Sequence, residues 1–143
     1  MHENTPTLLP ALALTGVLAS ALRPDTGTAQ GPARYTVPAA FSRRPEPREA
    51  ELLNSADAAR RLRAAGYPQV GLLVSDRRLL ITDTSLGELK AGLAHAVAAL
   101  LREVSEQCAR ERAQRTLELA ALGRAEQDRL EALDAAAAEI RFE

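Results

Sequence analysis

The chain has 143 residues, the size of one domain with additional arms, and its net charge of −1 excludes a strong overall attraction to a polyanion. A single cysteine, Cys108, excludes an intrachain disulfide. Hydrophobic residues make up 46% of the chain but aromatic residues only 3%, so its core must consist mainly of Ala, Leu and Val, which suits closely packed helices.

The first 22 residues are predicted to form an apolar helix or arm that packs on this protein or on a neighbour. Residues 8–22 are largely apolar, but Pro10 and Gly16 interrupt them, and the run is short for a membrane span. The small-x-small sequence Ala19-Ser20-Ala21 resembles a signal-peptide cleavage site, whereas the leader before residue 8 has no Lys or Arg. The alternative is a secreted helical protein from which residues 1–21 are removed.

Residues 23–48 are predicted to form a Pro-rich extended linker. They contain five prolines, which remove backbone donors and bias each preceding residue away from the helix. Tyr35, Val37 and Phe41 are spaced for one side of an extended strand. These three side chains are the predicted anchors of an arm that lies along an apolar surface.

Residues 49–143 are predicted to form a domain consisting of a helix, a hairpin and a long helix. Apolar residues at helical spacing predict the first helix over residues 49–65, and Gly66 and Pro68 end it. Ser55 provides an alternative, since it could cap a shorter helix that begins after it.

A β-hairpin is predicted for VGLLVSDRRLLIT, residues 70–82, from its alternating apolar residues. A tight turn at Asp76-Arg77 would create the cross-strand pairs Val74–Leu79, Leu72–Ile81 and Leu73–Leu80. A longer loop is the alternative, because Asp-Arg is not a preferred two-residue turn. Since both faces are apolar, the hairpin must be covered by helices or by another copy.

A long helix is predicted to begin at Thr84 or Ser85, because Ser85-Leu86-Gly87-Glu88 matches a capping box and no proline follows. Its apolar residues recur at spacings of three and four, and an 11-residue repeat from Leu119 predicts a nearly straight or slightly right-handed supercoil. Because glycine weakens a helix, Gly123 makes two alternatives possible: one long helix, or two shorter helices. The predicted oligomer or partner interface consists of Leu86, Leu89, Leu93, Val97, Leu100, Val104, Leu119, Leu122, Leu130 and Leu133.

The residue types that perform catalysis or bind metals are too scattered to indicate a site. His95 and Cys108 lack the spacing of metal ligands, and the carboxylates of the long helix lack the Glu-x-x-His pattern of a di-metal bundle. The glycines form no phosphate-binding loop. We therefore expect no catalytic residues, no cofactor and no metal.

Arginine accounts for 17 of the 18 basic residues, which a GC-rich genome would explain. Residues 34–78 hold nine Arg and five acidic residues, for a net +4, and residues 79–143 hold eight basic and twelve acidic residues, for a net −4. Such a charge dipole can steer a partner or attract a second copy. The candidate nucleic-acid contacts are Arg60, Arg61, Arg63, Arg77 and Arg78.

The order of a helix, a hairpin with a basic tip and a long helix resembles the back half of a winged-helix repressor. This resemblance implies a small dimeric nucleic-acid-binding regulator in which the hairpin is the wing. It covers only the hairpin and the helix that follows. The Pro-rich linker lies where the helix pair of a helix-turn-helix should precede residue 60.

The sequence therefore predicts a mainly α, α+β protein with no transmembrane segment. Its expected role is that of a non-enzymatic interaction or assembly protein, located in the cytoplasm or in an assembled particle. We expect it to form a homo-oligomer, with coiled-coil packing, or to join a larger complex through its long helix and its arm. The nucleic-acid-binding regulator and the secreted helical protein are the alternatives.

Overall fold

The computed structural model describes residues 10–142 and confirms the predicted α+β class, with 54% of the chain helical. The strands are β1 (Leu14–Val17), β2 (Tyr35–Phe41), β3 (Gly71–Ser75) and β4 (Arg78–Thr84). The helices are α1 (Pro47–Leu53), α2 (Ala56–Ala64), α3 (Leu86–Glu88) and α4 (Ala94–Ala138), with a π-helical segment at Leu89–Leu93. The strands form one antiparallel sheet in the order β1-β2-β4-β3.

The chain divides into two compact units, Met1–Cys108 and Ala109–Glu143. The first unit contains the sheet, the short helices and the beginning of α4, and all buried apolar residues of the described chain belong to it. The second unit is helical as far as Ala138.

Strands β3 and β4 form the predicted hairpin, with a tight turn at Asp76-Arg77. The cross-strand pairs are those expected from the alternation, Val74–Leu79, Leu72–Ile81 and Leu73–Leu80. Asp76 has a left-handed φ of 54°, which aspartate tolerates better than most residues. Leu79 and Ile81 are buried, whereas Leu73 on the opposite face is 49% exposed. One face of the hairpin is therefore a floor for the core.

Strand β2 lies inside the sheet, in a region that the sequence assigned to an extended linker. Its side chains Val37, Ala39 and Phe41 are buried, and β1 and β4 pair with it on either side. Pro38 is unusual in such a strand because it has no N–H. Its carbonyl nevertheless accepts a hydrogen bond from the Leu18 N–H at 2.8 Å.

The predicted N-terminal apolar helix is not found in residues 10–22, which form β1 and a short 3-10 turn at Ala19–Ala21; residues 1–9 of that prediction lie outside the described chain. Pro10 and Gly16 weaken a helix here. When β1 pairs with β2, it satisfies backbone N–H and C=O groups of β2 that would be unpaired if β2 were the edge of the sheet. Leu12, just before β1, is buried in the core.

The single helix predicted over residues 49–65 is instead two helices, α1 and α2. Ser55 separates them, because its hydroxyl accepts a hydrogen bond from the Ala58 N–H at 3.3 Å and caps α2. The alternative that placed a cap at Ser55 is thus confirmed. Glu46 caps α1, with Glu49 completing a capping box. Gly66 follows α2 with a left-handed φ of 103°.

The long helix is interrupted at Gly92 and not at Gly123. Gly92 has non-helical φ and ψ inside the π-helical segment, and a Cβ at this position would lie 2.8 Å from the Tyr67 hydroxyl oxygen. Gly123 lies within α4, where a Cβ would meet no atom within 4 Å. The interruption therefore occurs where another side chain approaches the backbone closely.

A buried ion pair connects three segments of the first unit. Glu49 is 1% exposed, and the Arg43 guanidinium contacts its two oxygens at 2.7 and 2.8 Å. Arg43 also donates to the Pro10 carbonyl at 3.0 Å, and the Ser105 hydroxyl, 3.4 Å from Glu49, accepts from the Leu12 N–H at 2.9 Å. Hydrogen bonding to Glu49 raises the pKa of Arg43. The pair thus links the N-terminal segment, α1 and α4.

Candidate interaction surface on the C-terminal helix

The predicted interface divides into a buried part and an exposed part. Its first part is at most 8% exposed, because it packs in the core of its own chain; this part consists of Leu89, Leu93, Val97, Leu100 and Val104. These five residues are core residues of the first unit, and their side chains pack within their own chain. Leu86, at the start of α3, is 39% exposed.

The C-terminal leucines of the prediction remain on the surface of the second unit. Leu119, Leu122, Leu130 and Leu133 have exposed fractions of 63%, 67%, 44% and 54%. Because an α-helix turns by about 100° per residue, the four side chains fall within a strip about 80° wide. We call these four residues the leucine strip. An apolar strip on the surface of a helix is typical of a surface that packs against another element.

Glu126 lies in the middle of the leucine strip at helical spacing from Leu122 and Leu130. Its carboxylate accepts two hydrogen bonds from the Arg129 guanidinium, at 2.6 and 3.0 Å. These bonds lower the pKa of Glu126 and raise the pKa of Arg129. The charge in the strip is therefore paired within the same helix.

Two exposed apolar residues beyond α4 were absent from the predicted interface. Ile140 is 62% exposed and Phe142 is fully exposed. The seven-residue step from Leu133 to Ile140 was a usable signal for the first. Phe142 continues no such spacing, so the sequence offered no signal for it.

The predicted arm anchors lie within the sheet of the first unit. Val37 is fully buried and Phe41 is 7% exposed. Tyr35 is half-buried, and its hydroxyl accepts a hydrogen bond from the Leu86 N–H at 2.9 Å. The segment that carries them contributes core side chains and holds the start of α3.

The five candidate arginines lie on two elements, α2 and the hairpin tip, and all are exposed. Arg60 pairs with Asp57 at 3.3 Å, and Arg61 pairs with Asp57 at 3.0 Å and with Glu103 at 2.6 Å. Within residues 10–142, no ion pair is found for Arg63, Arg77 or Arg78. Acidic neighbours thus partly neutralise the positive charge of the arginines on α2, but not that of the arginines at the hairpin tip.

An apolar cavity of about 460 Å³ lies in the first unit, between β1 and the start of α4. We call it the β1–α4 cavity. Much of its wall is formed by small residues, among them Ala13, Gly16, Ala94 and Ala98. Arg102 is the one charged residue among those that line it in the described chain. The described residues that line the cavity offer apolar contact and one cation, but no pair of groups for acid–base or nucleophilic chemistry.

Among residues 10–142, no group of three or more His, Cys, Asp or Glu side chains is placed to hold a metal ion. No helix in this part of the chain is long and apolar enough to cross a membrane. Comparisons with known proteins find no matching family model, no matching curated protein and no matching solved structure.

Proposed function

We propose that the protein is a non-enzymatic interaction protein that self-associates through the leucine strip of its C-terminal helix. The observation that supports this proposal is the contrast between the two parts of the predicted interface. The upstream residues are buried in the chain's own core, whereas the leucine strip is 44–67% exposed. A second copy presents the same strip, and mutual burial would remove both from water.

The size of the exposed side chains determines how much their burial can stabilise an assembly. Full burial of one leucine contributes about 1.5–3 kcal/mol. The leucines of the strip are 44–67% exposed, so roughly half of that gain is still available for each, and the eight leucines of two copies together provide a gain comparable to the entropic cost of association, about 4–15 kcal/mol. Glu126 reduces this gain, but Arg129 already compensates its charge.

Two aspartate variants test this proposal. Leu122→Asp should dissociate the assembly, because it places an unpaired carboxylate in an apolar interface. Leu117→Asp is the matched control, since Leu117 is 65% exposed, close to the 67% of Leu122, but lies about 140° away around the helix. Light scattering should show a lower mass for Leu122→Asp only. Equal masses for both variants and the unmodified chain would contradict the proposal.

A second candidate function is nucleic-acid binding. A winged-helix protein has a pair of helices before its hairpin, and the sequence alone did not predict such a pair. In the structure, two helices precede the hairpin: α1 and α2, which are separated only by Asn54 and Ser55. The exposed arginines of α2 and the hairpin tip would contact phosphates. We place this function second, because Asp57 and Glu103 already pair with Arg60 and Arg61.

The structure also bears on the secreted alternative. Removal of residues 1–21 would delete β1 and the buried Leu12, and it would expose the edge of β2. The contribution of this segment to the core favours a chain that keeps it when folded.

A further inference from the structure

We propose that the β1–α4 cavity binds an aliphatic monocarboxylate, with the hydrocarbon chain inside the cavity and the carboxylate on Arg102. This inference concerns the first unit and does not depend on self-association through the leucine strip.

The shape and lining of the cavity suit a hydrocarbon chain. A volume of about 460 Å³ lies within the range of about 300–1,000 Å³ that small-molecule sites occupy. Leu14 and Val17 of β1, Ile81 of β4 and Val97 of α4 line the cavity and provide apolar contacts. A Cβ added at Gly16 would meet no atom within 4 Å, so the space beside this residue of β1 is open.

The polar groups of the cavity suit a single negative charge. Arg102 is exposed, and its side chain makes no hydrogen bond or ion pair within residues 10–142, so its guanidinium is available to a ligand. A guanidinium presents parallel N–H donors that match the two oxygens of a carboxylate. The Thr15 hydroxyl, the other polar side chain of the lining, already donates to the Ala40 carbonyl at 3.3 Å. One cation therefore favours a monocarboxylate over a phosphate ester, which carries nearly two charges.

Calorimetric titration of the full chain with decanoate tests this inference, with 1-decanol as the neutral ligand of equal chain length. Decanoate should bind at one site and more tightly than 1-decanol. Arg102→Gln should weaken decanoate binding about tenfold and leave 1-decanol binding unchanged, since a hydrogen bond to a charged group is worth about that factor. Arg63→Gln, which changes an exposed arginine on α2, is the matched control and should change neither.

Variants that fill the cavity from either wall complete the test. Ala98→Phe from α4 and Gly16→Val from β1 should each abolish binding of both ligands, and their thermal unfolding identifies any variant that fails to fold. Equal binding of decanoate to the unmodified chain and to Arg102→Gln would overturn the proposal. Absence of binding to the unmodified chain would also overturn it. Binding that appears only after deletion of residues 1–9 would assign the cavity to the chain's own N-terminal segment and would equally overturn it.

Discussion

At the scale of single residues, the Arg43–Glu49 ion pair shows how a polar contact organises an apolar core. Burying two charges is costly, so such a pair adds little stability in comparison with well-packed apolar residues. Its importance lies in the groups that surround it, because the same network holds the backbone at Pro10 and Leu12. We therefore expect the pair to determine how β1 and its preceding residues are attached.

Removal of one member of the pair should be strongly destabilising. Arg43→Ala leaves Glu49 buried without its cation, which should lower the free energy of unfolding by about 3–5 kcal/mol in a urea titration. The double change Arg43→Met with Glu49→Leu should recover only part of this loss, because it removes the uncompensated charge but also the hydrogen bonds to the Glu46 N–H and the Pro10 carbonyl. Arg60→Ala, which removes a solvent-exposed ion pair, should stay within about 0.5 kcal/mol. An Arg43→Ala chain as stable as the unmodified one would refute the role given to this pair.

The sequence could not reveal this residue-scale network. Arg43 precedes α1 in an irregular segment, and Ser105 lies 56 residues after Glu49. Periodicity places residues on the faces of single elements, but it carries no information on which distant polar groups meet. The cap at Ser55 is different, because a helix cap depends only on residues within one helical turn. The sequence could therefore predict this cap, as the alternative to a single helix.

At the scale of elements, the hairpin acts as a floor for the core. Leu79 and Ile81 are at most 1% exposed. The sheet register continues from this hairpin into β2, where Val37 pairs with Ile81 and Ala39 pairs with Leu79. The hairpin thus has a structural role whether or not its tip contacts a nucleic acid.

The arginines of the hairpin tip allow the second candidate function to be tested. If that function is correct, the combined change of Arg77→Ala and Arg78→Ala should weaken binding to duplex DNA and reduce its salt dependence, since fewer counterions are released. If the protein is instead an interaction protein, we expect the unmodified chain to show no salt-sensitive duplex binding at physiological ionic strength. Fluorescence anisotropy with a labelled duplex measures both quantities. Salt-sensitive binding that the double change abolishes would favour the regulator over the interaction protein.

The elements differ in how far the sequence could predict them. The hairpin register followed from alternation, because one slip would move every apolar side chain to the other face. The residues of β2 were expected on one side of an extended strand, but the prolines around them indicated a linker. The position of β2 in the sheet depends on pairing with β1 and β4, which no local pattern encodes. Likewise, nothing local distinguishes Gly92 from Gly123, since the difference is the approach of Tyr67.

At the scale of the whole molecule, burial and exposure of the apolar residues differ between the two units. The first unit buries its apolar residues in a core of its own, including the part of α4 that ends at Cys108. The second unit is a helix whose leucines are mostly exposed. Isolated helices are only marginally stable in water, and packing of an apolar face supplies most helical stability. We therefore expect the second unit to gain its stability from association.

The mass of the full chain in solution tests this central claim most directly. Sedimentation equilibrium at micromolar concentration should give at least about twice the chain mass of 15.3 kDa. Self-association should also make that mass depend on protein concentration as the sample is diluted. A mass of 15.3 kDa throughout the concentration range would contradict self-association through the leucine strip.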